Sequence, residues 1–405
     1  MISVEEALEI VSGRAAAAVS RGAMPPESLP LGEVFGRVLR ESVAADMDSP
    51  PFDRSVRDGF AVRSGDLAGA PVELAIVGES RAGASFEGSV GAAECAEIMT
   101  GAEVPPGANA VVMVEDTVRL SETTVRILKS VGGGQSIQAA GSECRRGDVI
   151  LEEGRRIGVS ETAVLAATGH ATLRVSKRPT VAIVSTGDEL VEIGQTPGPA
   201  QIRNSNGVTL AGEVRQAGGE PRLLGIVRDD TAALTRAITA GLGADILITS
   251  GGVSMGKYDL VVGVLGGQGV EIGFDRVAMK PGKPTVFGWR DDTFVFGLPG
   301  NPVSTIVAFQ LFVRPLIHKL LHAAGDPDPR LEATLDSEAR CDPVREACVP
   351  AVARFEDGAY RLSLASWKGS SDLVGLARAN AYVMIPRQEG VLEAGTRVRF
   401  IPMGA

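Results

Sequence analysis

The sequence predicts a multidomain chain of α/β plus β class: an α/β domain at the centre, an N-terminal helical region carrying an inserted β-rich lobe, and a small β-barrel-like domain at the C-terminus. Three observations predict it. TVAIV (180–184), RLLGIV (222–227) and DILIT (245–249) alternate with helix-like segments near 205–217 and 231–241, the βαβαβ pattern of a parallel sheet. Upstream, VELAIV (72–77), CAEIM (95–99), AVVMV (110–114) and TVRIL (124–128) read as short strands separated by Gly-rich turns. Beyond residue 330, LEATL, CVPAVARF, AYRLSL, AYVMIP and TRVRFI form a second set of short strands.

Taken in order, the chain opens with a helix signalled by Ser3 and Glu6, a capping box ahead of Ala7, Leu8, Ile10 and Val11. A second helix is expected near 30–40. The adjacent prolines of DSPPFDRS (48–55) then break regular structure before the β-rich lobe. Helical pattern returns at SETAVLAATGH, with Ser160 as cap and Gly169 as stop. Asn301 as N-cap and Pro302 at the first helical position announce a helix over 302–321. AAGDPDPR (323–330) reads as a linker, and SWKGSSD (366–372) as a polar loop tip. The expected domains are residues 1–45 with 141–176 (helical and linker), 46–140 (β-rich lobe), 177–325 (α/β) and 326–405 (β).

Composition narrows the function. With 405 residues the chain has material for two to four domains. A net charge of −10 and a pI near 5.1 argue against nucleic acid as principal partner, because sequence-independent phosphate binding needs a basic face. Any anionic ligand must be met by local positive charge. MISVEEALEI is acidic where a signal peptide is basic, and the apolar stretch 303–321 is interrupted by Gln310, Arg314 and Lys319. A cytoplasmic protein that does not engage membranes is expected. Cys95, Cys144, Cys341 and Cys348 form no C-x-x-C pair, which speaks against structural zinc and a disulfide framework. His318 and His322 stand four apart, but Lys319 replaces the glutamate of a zinc-protease motif.

Chemistry concentrates between Asp245 and Ser304. Ser250, Gly251 and Gly252 follow an apolar strand, where backbone N–H groups can face a phosphate or heterocycle. Lys280 and Lys283 bracket a Pro-Gly turn, an arrangement that makes sense if an anion sits between them. Each parallel strand is followed by carboxylates: Asp188 and Glu189, Asp229 and Asp230, and Asp259 at the end of SGGVSMGKYD (250–259). Open α/β sheets bind ligands at those ends. Carboxylates opposite lysines suggest a divalent cation bridging carboxylate and phosphate oxygens, for which Mg2+ fits best. The pattern leaves open which of Asp229 and Asp230 caps the following helix and which faces the crevice.

In this order the motifs FDRSVRDGFAVR (52–63), EIMTGAEVPPGANAVVMVED (97–116), STGDEL (185–190), SGGVSMGKYD (250–259), KPGKP (280–284), LPGNPVS (298–304), GSSDL (369–373) and ARAN (377–380) resemble the molybdopterin molybdenumtransferases, the family of bacterial MoeA and the gephyrin E-domain. The resemblance covers nearly the whole chain. It implies a three-layer, MogA-like central domain and an enzyme that takes adenylylated molybdopterin and molybdate, uses Mg2+ and releases AMP. The substrate supplies its own sulfurs, so no soft protein ligand is required.

Carried over to this sequence, the resemblance assigns catalysis to Asp58, Thr100, Glu143, Glu189, Asp229 and Asp259, with Glu189, Asp229 and Asp259 as metal ligands. It assigns substrate binding to Ser250, Gly251, Gly252, Ser254, Lys280, Lys283, Pro299, Asn301, Pro302, Ser304, Arg345 and Ser370. It further implies a homodimer in which Asp58 and Thr100 complete the site across subunits, and a molybdopterin adenylyltransferase as supplier of substrate. Some positions depart from the family. Arg57 stands where Met is frequent, Glu143 where Asp is, and REACVP (345–350) keeps Arg345 but loses a second arginine, which implies either an altered affinity for the anion or substitution by Arg354. Two competing readings remain: a nicotinamide-nucleotide-processing enzyme sharing the central module, and a molybdopterin-binding scaffold without catalysis.

Overall fold

The structure, a computed structural model, describes residues 1–253, 260–327 and 330–403. The chain divides into two compact units, Met1–Arg40 with Gly154–Gly158 and Thr172–Ala405, and Glu41–Glu153 with Val159–Ala171.

The centre of the larger unit is a six-stranded sheet in the order Glu220–Val227, Thr180–Thr186, Ile246–Ser250, Thr293–Leu298, Val286–Arg290, Glu271–Phe274. The first four strands are parallel and the last two join antiparallel. Alternation along the strands decides the layering, because successive side chains leave opposite faces. Val181, Ile183, Ile246 and Ile248 pack with the Val4–Ser20, Ser205–Ala217 and Arg314–Leu320 helices. Ala182, Val184 and Leu247 pack on the other face with Leu234 and Ile238 of the Thr231–Gly241 helix and Val261 and Val264 of the Leu260–Gly267 helix. The result is a three-layer αβα sandwich.

Helix boundaries follow local chemistry. Ser3 and Glu6 form the expected capping box, and Asn204 and Asp230 cap the Ser205–Ala217 and Thr231–Gly241 helices by accepting from the Gly207 and Ala233 N–H groups. Thr231–Gly241 therefore takes Asp230 as its cap and leaves Asp229 to the crevice. The expected helix near 30–40 does not form: Pro26–Pro30 is a strand paired antiparallel with Thr172–Ser176, and only a 3-10 turn, Leu31–Glu33, follows. Pro26 and Pro30 lack the donors a helix needs, and Gly36 adopts a φ of +76°. The later helix begins at Val159, so Ser160 lies inside it rather than capping it, while Gly169 ends it with a φ of +76°.

Pro302–Ala308 continues through a π-helical segment, Phe309–Val313, into Arg314–Leu320. By length and apolar composition this run could span a membrane, but 78% of it is buried inside the protein, as a core helix. Beside it Phe274, Phe287, Phe296 and Phe312 form an aromatic cluster in which the Phe287 ring lies 5.0 Å from Phe296 and 5.6 Å from Phe274. Phe287 is fully buried. Phe287→Ala is expected to cost about 3–5 kcal/mol in chemical denaturation; a loss below ~1 kcal/mol would mean that the cluster does not anchor this layer.

The C-terminal strands close on themselves. Glu346–Glu356, Ala359–Leu364, Leu331–Leu335, Arg397–Pro402 and Ala381–Ile385 pair in that order, and the last pairs again with the first. This is a small barrel around Leu335, Leu362, Val383 and Phe400. The short Met279–Lys280 strand adds in parallel to Glu346–Ala347. In the smaller unit, a six-stranded sheet contains Gly59–Val62, Val72–Ser80, Glu94–Ile98, Ala110–Met113 and Thr124–Ile127, packed around Phe60, Leu74, Val112 and Ile127.

Candidate active site

The connection from Thr180–Thr186 leads to the sheet edge and returns on the other side, to Ile246–Ser250. Such a reversal splays the flanking connections and opens a crevice at the carboxyl ends of the strands. A cavity of about 600 Å³ lies there. Ser185, Thr186, Glu189, Asp229, Ser250–Val253 and Pro299–Pro302 line it.

Several local features hold these segments in place. Gly251 has a φ of +97°, and a Cβ there would come within 2.4 Å of the Thr186 carbonyl oxygen. Only glycine lets the two strand ends approach so closely. The Gly251 N–H donates to the Leu298 carbonyl at 3.0 Å. Thr186 donates through Oγ1 to Asp229 Oδ1 at 2.6 Å, which orients that carboxylate at the cavity edge. Glu189 is exposed, Asp229 half-buried. Asp188 instead accepts from the Asp229 N–H at 3.4 Å and pairs with Arg228 at 4.0 Å.

Of the expected binding residues, Ser250, Gly251, Gly252, Pro299, Asn301 and Pro302 line the cavity. Asn301 stands at the helix N-cap, but its side chain makes no cap bond; its Nδ2 donates to Ser370 Oγ at 2.9 Å. Val303 N–H donates to the Ser370 carbonyl at 3.0 Å. Ser370 thus latches the 369–373 loop to the helix start, and its neighbours Ser371 and Leu373 line the cavity. Ser304 is buried in the helix. Ser254 and Asp259 lie outside the described residues.

Lys280 and Lys283 are exposed and do not line the cavity, whereas Pro284 does. Their turn is held firmly: Thr285 Oγ1 donates to the Gly282 carbonyl at 2.6 Å, and the Val277 N–H to the Lys283 carbonyl at 3.0 Å. Strand pairing of Met279–Lys280 with Glu346–Ala347 brings Lys280 beside the segment that Arg345 begins. Arg345 is paired with Asp342 at 2.7 Å, and Arg354 with Asp336 at 2.6 Å and Glu356 at 3.0 Å. An anion recruited to either arginine has to compete with those carboxylates.

In the smaller unit, Asp58 Oδ1 accepts from the Thr100 backbone N–H at 2.6 Å and from Thr100 Oγ1 at 2.7 Å. These two donors, the backbone N–H foremost, lower the Asp58 pKa and keep it ionised. Glu143 accepts from Ser49 Oγ at 2.7 Å and Gln138 Nε2 at 2.9 Å and pairs with Arg54 at 3.3 Å. The Ser49 bond contributes most to lowering its pKa. The longer glutamate arm is fully engaged at this position.

Residues without a sequence signal complete the cavity. Asn206 links Ser250, Gly300 and Thr305; Thr186 and Ser371, inside the STGDEL and GSSDL motifs but not singled out there, also line the cavity. An Asn-x-Asn-Gly run at 204–207 announces a helix cap and nothing further.

Fold and cavity together define a multidomain α/β protein with a ligand site at the switch point of its sheet and a barrel appended. Family models match along the chain: the MoeA N-terminal region (domain I and II) over residues 2–169, a probable molybdopterin binding domain over 182–319, and the MoeA C-terminal region (domain IV) over 332–403. The molybdopterin molybdenumtransferase of Staphylococcus epidermidis is 34% identical over 376 residues, covering 92% of this chain and 90% of the relative. That of Bacillus subtilis (strain 168) is 33% identical over 383 residues, covering 93% and 89%. The crystal structure of the molybdopterin biosynthesis MoeA protein from Pyrococcus horikoshii OT3 superposes with a TM-score of 0.82 at 29% identity over 99% of both chains. A second Pyrococcus MoeA structure gives 0.79 at 31% identity over 100% of this chain and 99% of that one. The chain belongs to the molybdopterin molybdenumtransferase family, transferases of molybdenum cofactor biosynthesis.

Proposed function

We propose that this chain inserts molybdate into adenylylated molybdopterin with Mg2+-dependent release of AMP, acting in the cytoplasm as a homodimer. The observation that carries the reading is the switch-point cavity, whose lining combines the carboxylates of Glu189 and Asp229 with the Gly251–Gly252 turn. Mg2+ commonly takes one or two protein carboxylates and completes its shell with water and substrate phosphate oxygens. Glu189 and Asp229 fit that mode, and among the described residues no cluster of three acidic, histidine or cysteine side chains competes for the ion. When bound, the ion would neutralise charge on the phosphoanhydride oxygens.

The protein's own part is positioning. The Thr186 hydroxyl fixes Asp229, the Gly251–Gly252 turn admits the substrate backbone-close, and the latched 369–373 loop closes one side. Lys280 and Lys283, on a rigid turn whose Pro284 borders the cavity, supply ammonium groups for molybdate, a tetrahedral oxyanion. Asp58, Thr100 and Glu143 would complete the site from a second subunit, and a molybdopterin adenylyltransferase would provide the substrate.

The test is AMP release from adenylylated molybdopterin with molybdate and Mg2+, by wild type and Lys280→Ala. Wild type is expected to turn over, and the variant to need at least about tenfold more molybdate. Equal turnover by both proteins would remove Lys280 from the oxyanion pocket. Pyridine-nucleotide hydrolysis without a response to molybdopterin, or tight cofactor binding without AMP release, would replace the proposal by one of its competitors.

A further inference from the structure

Asn206 is the second residue of the Ser205–Ala217 helix and lines the cavity. Its Nδ2 lies 2.8 Å from Ser250 Oγ, 2.8 Å from the Gly300 carbonyl oxygen and 3.3 Å from Thr305 Oγ1. A carboxamide has two N–H donors and one acceptor oxygen, and its orientation follows from its partners. Gly300 decides the matter here, since a flipped amide would place two oxygens against each other. Thr305 donates its own hydroxyl hydrogen to the Pro299 or Asn301 carbonyl, so it meets Asn206 as an acceptor. All donors of Asn206 therefore face the protein. Its Oδ1 has no hydrogen-bond partner among the described residues. With Nδ2 turned to Ser250, Gly300 and Thr305, Oδ1 is the amide atom left for a ligand in the cavity that Asn206 lines.

We infer that Asn206 Oδ1 is a specificity-determining acceptor for the exocyclic amino group of an aminated heterocycle bound in this cavity. The inference rests on the proposed function, whose substrate carries two such rings: the pterin, with a 2-amino group beside a ring N–H, and the adenine, with a 6-amino group. In either ring, exchange of the amino group for an oxo group replaces a donor with an acceptor and sets oxygen against Oδ1. A site built to receive an N–H rejects such an analogue, because its own polar atom is left unpaired.

The experiment measures binding of pterin against lumazine, its 2-oxo counterpart, and of AMP against IMP, its 6-oxo counterpart, to wild type and Asn206→Ala. Wild type is expected to prefer the amino member of one pair by about tenfold, and Asn206→Ala to lose most of that preference. The pair that responds identifies the ring. A merely structural role for Asn206 would weaken both members of each pair alike, so an unchanged ratio in Asn206→Ala overturns the inference. Should the variant not fold, the wild-type arm decides: equal affinity within both pairs also overturns it. Binding of none of the four probes to wild type would remove the reading of the cavity itself, whereas binding without discrimination removes only the role of Asn206.

Discussion

Asp229→Asn is expected to lower AMP release by about a hundredfold or more while leaving the fold intact. The substitution is nearly isosteric, and an asparagine Oδ1 can still accept from Thr186 Oγ1, which now donates to Asp229 at 2.6 Å. What is lost is one negative charge in the cavity lining. The neighbouring Asp230→Asn provides the control, because Asp230 caps the Thr231–Gly241 helix by accepting from the Ala233 N–H at 2.8 Å, and asparagine is an equally good cap. Turnover by Asp230→Asn should stay close to wild type. If Asp229→Asn matched it, the acidic lining would have no part in the chemistry.

The second large effect concerns pH and stability. Glu213, on the helix that presents Asn206 to the cavity, accepts from Gln310 Nε2 of the π-helical segment. Burial pushes its carboxyl up to about 7 from an ordinary 4.5, a rise that the Gln310 bond and the Arg314 guanidinium only partly offset. The buried Tyr382 hydroxyl is raised chiefly by its own burial, with smaller contributions from Cys348 and Glu213. Between pH 4.5 and about 7 the unfolded chain has released this proton and the folded one has kept it. Stability from this group is therefore fully present below pH 4.5, falls as pH rises, and levels off above about 7, a total change of ~3 kcal/mol at most. Glu213→Gln keeps a hydrogen-bonding partner for Gln310 and cannot ionise. It should flatten the dependence of Tm on pH across that window and be more stable than wild type at pH 8. Parallel curves for the two proteins would show that Glu213 does not carry the effect.

Legibility followed the range of the interactions. Helices at Ser205–Ala217 and Thr231–Gly241 sit where apolar periodicity places them, and three of the four parallel strands coincide with the three apolar runs to within two residues at either end; Thr180–Thr186 and Ile246–Ser250 are buried as such runs dictate, whereas Glu220–Val227, at the sheet edge, is only partly buried. The helix expected near 30–40 failed for a local reason, as its prolines and Gly36 outweigh its apolar spacing. Cavity residues tied to a strand end or turn, such as Glu189 and Gly251, were visible from position alone. Asn206 was not, since its partners lie 44, 94 and 99 residues away, and no local pattern encodes a meeting of four segments. Nor could composition assign Ser371 rather than Ser370 to the cavity, a choice made by the bond between Asn301 and Ser370.

Met279–Lys280 is hydrogen-bonded into the barrel's sheet, and only four residues further on Pro284 borders the cavity of the sandwich. Between them the backbone is pinned by Thr285 and Val277, so the turn behaves as a stiff lever and not as a hinge. A displacement of the barrel sheet would therefore be passed along this turn to Pro284 at the cavity, carrying Lys280 and Lys283 with it.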